Sequence, residues 1–293
     1  MKSSFSRALA LLLFVAFTVS TRAEVIPGSI DVEGAERTWR LFVPDRYRSG
    51  TKHPLVLDFH GTGGSPEQQS RNSEFTKLAS QENFLVVNPA GKYVRAPGGG
   101  ATWNVDLDPK GPDDVRFVRE LIAHLSKRYS IDPARIYATG FSGGARMSSR
   151  LACDLSDVVA AVGLVGGIRF PDRCDPVHPV AIIALHGEKD EVNHFEHRSD
   201  SPAYWPVGVM DASTSWAKRY ECDATPSEQR ISAEVARLEY RGCKADANLE
   251  LFKLKNGRHT WPGSPGEIQA GTNPGDFSAT RQIWRFFEHH ARR

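Results

Sequence analysis

Short apolar runs alternate with amphipathic stretches through the middle of this chain, a pattern that predicts a parallel sheet with crossover helices. Leu55-Val56-Leu57-Asp58-Phe59, Phe84-Leu85-Val86-Val87 and Arg135-Ile136-Tyr137-Ala138-Thr139 read as inner strands, as do residues 158–165 and 180–185. Trp39-Arg40-Leu41-Phe42-Val43 begins as an edge strand, and residues 249–254 alternate as a strand nearer the sheet edge should. Pro112-Asp113-Asp114 opens a helix, with proline early and carboxylates near the positive end of the dipole. Within it Val115, Phe117, Val118, Leu121, Ile122 and Leu125 keep helical spacing, so one face is core. Residues 145–151 start another helix. Residues 279–291, carrying Ile283, Trp284, Phe286 and Phe287, predict a closing helix on the sheet. Residues 191–209 have no periodicity and are rich in His, Pro and aromatics, which predicts a lid-like excursion above the strand ends.

The first 23 residues stand apart from that pattern. Lys2 and Arg7 precede an unbroken apolar run, residues 8–17, and Thr21-Arg22-Ala23 offers small residues for cleavage, so 1–23 is expected to be a signal peptide. The apolar run is too short for a mature transmembrane helix, and no membrane association is expected after cleavage. The 37 Lys and Arg, less Lys2, Arg7 and Arg22, leave 34 against 35 Asp and Glu, so nucleic acid is not an expected partner. Residues 24–293 hold no linker, repeat or low-complexity tract and suit one large α/β domain. A monomer is expected. Cys153, Cys174, Cys222 and Cys243 are an even number in an exported chain, which favours two disulfides. Three connectivities are possible, and sequence proximity favours Cys153–Cys174 with Cys222–Cys243.

Against this frame the chemistry concentrates at strand ends, where open α/β sheets place their sites. Gly140-Phe141-Ser142-Gly143-Gly144 joins a strand to a helix, a tight turn that exposes a serine hydroxyl and frees the next amide. Asp190 follows the strand at 180–185, and His259 follows the strand at 249–254. Serine is a poor nucleophile until a base takes its proton, which an imidazole does near neutrality, and a carboxylate fixes that imidazole's tautomer. Ser142, Asp190 and His259 are therefore the candidate triad. Alone, Asp190 would read as a loop cap and His259 as a satisfied loop histidine; their joint order at strand ends decides for the triad. His60-Gly61-Thr62-Gly63-Gly64 follows the strand at 55–59 and offers the Thr62 amide to join that of Gly143 in an oxyanion hole.

Four motifs, His60-Gly61-Thr62-Gly63-Gly64, Gly140-Phe141-Ser142-Gly143-Gly144, His186-Gly187-Glu188-Lys189-Asp190 and Gly257-Arg258-His259-Thr260-Trp261-Pro262-Gly263, together resemble the secreted polyhydroxybutyrate depolymerase and feruloyl esterase family. The resemblance implies an α/β-hydrolase fold, ester hydrolysis through an acyl-enzyme without metal or cofactor, and the same triad. The family's usual cysteine arrangement agrees with the two local pairs. It implies an ester substrate, either a hydroxycinnamoylated polysaccharide fragment or a hydroxyalkanoate oligomer. After Asp190 the chain departs from the family's compact valine–proline turn, running Glu191-Val192-Asn193-His194-Phe195-Glu196-His197 toward Tyr204-Trp205-Pro206. The acyl group therefore does not transfer with the resemblance.

Trp261, Trp103 and Trp205, with His60, are the expected lining of the substrate cleft, and Trp39, Trp216 and Trp284 the expected core tryptophans. His194, His197, Glu191 and Glu196 match no metal-ligand spacing and read as a solvated loop. A serine peptidase on the same fold and a non-catalytic exported binding protein are the alternatives; nothing resembles a peptide-selecting lid domain, and serine, acid, base and glycine loop are all present.

Overall fold

The computed structural model describes residues 23–95, 97–264 and 277–292, so all of the expected signal peptide but Ala23 lies outside the described residues. The chain opens with a hairpin, β1 (Glu24–Val32) and β2 (Ala35–Val43), turned at Glu33-Gly34 with positive φ at both residues. That is the backbone twist a two-residue hairpin demands. Then follow β3 (His53–Phe59), α1 (Pro66–Ser73), α2 (Phe75–Glu82), β4 (Leu85–Pro89), α3 (Asp114–Ser126), β5 (Ile131–Phe141) and α4 (Gly143–Asp154). The remainder comprises β6 (Ala161–Val165), β7 (Ala181–Gly187), α5 (Val209–Arg219), β8 (Ser227–Arg230), β9 (Val235–Tyr240), β10 (Leu249–Leu254) and α6 (Ala279–Glu288).

The strands form one sheet in the order β1-β2-β4-β3-β5-β6-β7-β10-β9-β8. The six from β4 to β10 run parallel, and an antiparallel pair finishes each edge. The expected edge positions are thereby corrected: β2 is covered by β1, and β10 is covered by β9 and β8. Pro27 and Gly28 disguise β1 in the sequence, since both disfavour a strand interior. Pro27 is tolerated at the edge, and a Cβ on Gly28 would sit 2.2 Å from the Trp39 ring of β2, so the indole takes the space a side chain would fill. The outer strand β8 is four exposed residues, Ser-Glu-Gln-Arg, the kind of short polar edge that resists further pairing.

The parallel strands are buried on both faces because helices cover both. Every residue of β3 and β7 is buried. Leu55, Leu57 and Phe59 of β3 join the apolar faces of α3, α4 and α5, whereas Val56 points to the layer of α2 and α6. In α3 the Asp113 side chain caps Arg116 N at 2.9 Å, so Pro112 lies one residue before the cap and not in the first turn. Helix α6 closes the second layer: Trp284 stacks on Phe84 at 3.9 Å and Phe287 on Tyr137 at 4.5 Å. Burying one such side chain contributes about 1.5–3 kcal/mol. Trp39, Trp216 and Trp284 are core residues, as expected.

Cys153–Cys174 ties the end of α4 to the approach to β7, and Cys222–Cys243 ties the exit of α5 to the exit of β9. Residues 191–209 are not a free lid. Asn193, His194 and Trp205 are buried, the Asn193 amide donates to Gly166 O at 2.6 Å, and Trp205 Nε1 donates to His194 O at 2.9 Å. Nor is His194 solvated, since it meets Ser201 and Arg198; Glu191, Glu196 and His197 are exposed. An apolar, hydrogen-bonded interior fixes this segment and leaves only its rim to face a ligand.

Candidate active site

Ser142 sits between β5 and α4 with φ 53° and ψ −110°, a conformation that costs a non-glycine residue about 1–3 kcal/mol. The surroundings hold it there. Ser142 N donates to Val165 O of β6 at 2.8 Å, and Ser142 O accepts from Arg146 N at 3.1 Å. Two glycines of the elbow are dictated by close approach: a Cβ on Gly144 would lie 2.1 Å from Phe59 O, and one on Gly140 would lie 2.6 Å from the same atom. Helix α4 therefore crosses the end of β3 nearly backbone to backbone, which brings the loop after β3 to the serine.

Asp190 and His259 are brought together by the main chain of their own strand ends. Glu188 N donates to Leu254 O at 2.9 Å and Lys189 N to Gly257 O at 3.0 Å, locking the exit of β7 to the exit of β10. Asp190 Oδ1 accepts from Val192 N and Asn193 N, both at 2.8 Å, which fixes the carboxylate. Its Oδ2 meets His259 Nδ1 at 2.7 Å and His186 Nε2 at 3.2 Å. Burial pushes the Asp190 carboxyl up, but hydrogen bonds from His186 and His259 and the charge interaction with both rings together outweigh it and hold the group well below the usual carboxylate range. The His259 ring lies 4.7 Å from that of Phe141 and remains partly exposed, lining with Ser142 a cavity of about 450 Å³.

The glycine loop forms the opposite wall. A Cβ on Gly143 would stand 3.0 Å from Thr62 N and 2.7 Å from Thr62 Oγ1, so the loop and the helix start share one small space. Among the described residues neither the Thr62 nor the Gly143 amide has a backbone acceptor. Thr62 Oγ1 and Thr102 Oγ1 pair at 2.9 Å, and Gly63 N donates to Ala101 O, bracing the loop from behind. His60 lines the cavity wall, but both ring nitrogens are engaged: Nε2 accepts from Gly91 N at 2.9 Å and Nδ1 donates to Gly61 O at 2.7 Å. Burial lowers its pKa, which suits the neutral ring those bonds require. Its ring therefore braces the loop and has no ring nitrogen to offer a substrate.

The three tryptophans expected in the cleft are instead buried away from it. Trp103 donates Nε1 to His60 O at 2.9 Å and stands edge-on to Phe59; Trp205 holds His194 O. Trp261 donates to Thr280 Oγ1 at 3.0 Å and packs beside Phe75. Two residues after His259 the chain has already turned into the α2–α6 layer, so nearness in sequence put Trp261 on the wrong side. The aromatic walls are Phe141 and Tyr204, the latter contributed by the rim of the 191–209 segment. Phe141 was legible as the variable residue of the elbow, and Arg146 as the residue one helical turn beyond Ser142. His186, four residues before Asp190, stands in one of the four motifs of the resemblance, but nothing in that motif marked it as a second partner of the carboxylate. Among the described residues no group of three or more His, Cys, Asp or Glu is arranged to hold a metal ion.

A family profile described as Esterase PHB depolymerase matches residues 37–213. The chain is 29% identical over 225 residues to Feruloyl esterase B of Piromyces equi, covering 74% of this chain and 41% of that protein, so it spans less than half of that relative's length. It is 29% identical to Putative esterase NocK of Nocardia uniformis subsp. tsuyamanensis, over 85% of this chain and 76% of that protein. An acetyl xylan esterase structure from Aspergillus awamori superposes with a TM-score of 0.62 at 15% identity, over 80% of this chain and 94% of that one. A feruloyl esterase module from Clostridium thermocellum complexed with sinapinate gives 0.54 at 13% identity, over 82% and 83%. These two likenesses bear on the fold, which is that of the α/β hydrolases.

Proposed function

The chain belongs to the PHB depolymerase esterases, carboxylic ester hydrolases, and on that premise we propose that it is a secreted, monomeric serine esterase working through an acyl-enzyme on Ser142. One observation carries this: Ser142, held on a strained elbow, lines the same cavity as a histidine whose Nδ1 is 2.7 Å from a buried carboxylate. Ser142 Oγ attacks the ester carbonyl carbon as its proton passes to His259 Nε2. Asp190 keeps the other imidazole nitrogen protonated and stabilises the imidazolium. The oxyanion is met by the amides of Gly143 and Thr62, one such donor being worth about 3–4 kcal/mol in the barrier. Collapse breaks the carbon–oxygen bond, and the alcohol leaves with the proton from His259. Water then attacks the acyl-enzyme, gives its proton to His259, and the second collapse releases the acid and restores Ser142.

The two disulfides and the pattern of residues 1–23 support export, and among the described residues no helix is long and apolar enough to cross a membrane. Two substrate classes fit the resemblance, hydroxycinnamate esters of polysaccharide fragments and hydroxyalkanoate oligomers. The test is hydrolysis of methyl hydroxycinnamates, p-nitrophenyl esters of graded length and 3-hydroxybutyrate oligomers by the purified protein and by Ser142→Ala. Turnover on at least one panel that disappears in Ser142→Ala is expected. Turnover that survives in the variant at near wild-type rate would overturn the mechanism.

A further inference from the structure

We propose that Arg146 reads a free carboxylate on the substrate, so that the preferred ester carries a carboxylate a few atoms from its scissile bond. This deepens the serine-esterase reading and rests on it.

Arg146 lies one turn along α4 from Ser142 and lines the same cavity. It is 4% exposed, yet its Nε and Nη1 have no hydrogen-bond partner among the described residues. Its Nη2 has only the Thr62 hydroxyl, at 3.4 Å, and its guanidinium rests 4.4 Å from the centre of the Tyr204 ring. A buried cation with unfilled donors is costly, because neither water nor a protein acceptor replaces its hydration. The local charge balance sharpens the point. Arg95, which also lines the cavity, and Arg169 both pair with Asp106 at 2.7 Å, so among the described residues that carboxylate is shared by two other arginines and Arg146 has no ion pair of its own. Burial, with Arg95 adding to it, pulls the Arg146 pKa down to about 10, so the group is still cationic in neutral solution.

The chemistry that satisfies this arrangement is planar, anionic and rich in acceptors. A carboxylate matches the guanidinium fork, and the low-dielectric wall strengthens the pair. Neutral esters offer Nε and Nη1 only uncharged acceptors, which bind a guanidinium more weakly and leave its charge unbalanced. The carboxylate has two possible sources: the leaving alcohol, as in a hydroxyalkanoate oligomer, or the acyl group, as in a half-ester of a dicarboxylic acid.

The test compares matched substrates that differ at that carboxylate. For the alcohol side the pair is the 3-hydroxybutyrate dimer and its terminal amide; for the acyl side it is mono-p-nitrophenyl glutarate and p-nitrophenyl pentanoate. Wild-type protein is expected to favour the carboxylate member of one pair by roughly 10- to 100-fold in kcat/KM, the range of a charge-assisted hydrogen-bonded contact. Arg146→Met should bring that ratio close to one, and Arg146→Lys, which keeps charge but not the fork, should retain part of it. Which pair shows the preference identifies the source. A wild-type ratio near one in both pairs overturns the proposal even if the variants do not fold, and so does a preference that survives in Arg146→Met. Failure of the underlying reading looks different: hydrolysis of p-nitrophenyl pentanoate would then be unaffected by Ser142→Ala.

Discussion

Replacing Asp190 with Asn tests the triad at the member whose geometry is most fully determined. The amides of Val192 and Asn193 both need the acceptor at Oδ1, so an Asn at this site keeps its oxygen there. Its NH2 then occupies the place of Oδ2, 2.7 Å from His259 Nδ1. Two donors cannot face each other, so the imidazole must carry its proton on Nε2 and present an N–H to Ser142 where the reaction needs a lone pair. The charge is lost as well. An imidazolium and a carboxylate with charge centres about 4 Å apart interact by about 4 kcal/mol at an effective dielectric of 20, a factor of about 10³ in rate. Adding the wrong tautomer brings the expected loss in kcat to about 10³–10⁴. The assay is steady-state hydrolysis of a p-nitrophenyl ester by wild type, Asp190→Asn and Ser142→Ala, with thermal unfolding as a control for folding. A folded Asp190→Asn protein within tenfold of wild type would refute the assignment of Asp190 as the residue that orients His259.

Two further changes probe the scaffold beneath the site. Gly144→Ala places a methyl carbon 2.1 Å from Phe59 O, and since the α4 backbone fixes that carbon and its neighbour is main chain, α4 or β3 must move. The expected cost is about 3 kcal/mol or more, read as a lowered urea midpoint, and a midpoint equal to wild type would show that the crossing tolerates a methyl group. Asp58, buried at the end of β3, accepts hydrogen bonds from Gln69, Ser73 and Asn88, yet burial outweighs them and pushes its pKa up to about 7. The native state then holds a proton that the unfolded chain releases near pH 4, so Asp58 makes stability fall as pH rises from about 4 to 7, by up to about 4 kcal/mol. Asp58→Asn should remove that slope from urea midpoints measured across the window; the same slope in both proteins would mean that Asp58 does not titrate there.

The inner strands were legible because a sheet buried on both faces forces continuous apolar runs, and β3, β4, β5, β6 and β7 all show them. The outermost strands were not, for an equally physical reason. β1 is broken by Pro27-Gly28, acceptable only at an edge and beside Trp39, and β8 is wholly polar because it faces water. Neither property can be read without knowing the neighbour. The same holds for residues 191–209, where the absence of periodicity reflects a segment fixed by irregular side-chain-to-backbone bonds such as Asn193 to Gly166.

The site divides along the same line. Ser142, Asp190, His259 and the glycine loop were legible because the sheet's connectivity carries each to a strand end, and at strand ends the main chain largely sets position: Gly144 against Phe59, Lys189 against Gly257, Ser142 against Val165. The groups that would meet substrate are side chains whose directions depend on packing. Trp261 turns inward to Thr280 while Tyr204, beside the buried Trp205, turns outward to Arg146. Sequence spacing gives no hint of either choice. In Arg146 the two regimes meet, since its backbone amide bonds Ser142 O and so belongs to the elbow, while its guanidinium belongs to the wall. A substitution there leaves the amide in place and changes the charge, so Arg146→Met separates the proposed reading of a substrate carboxylate from the geometry of the elbow itself.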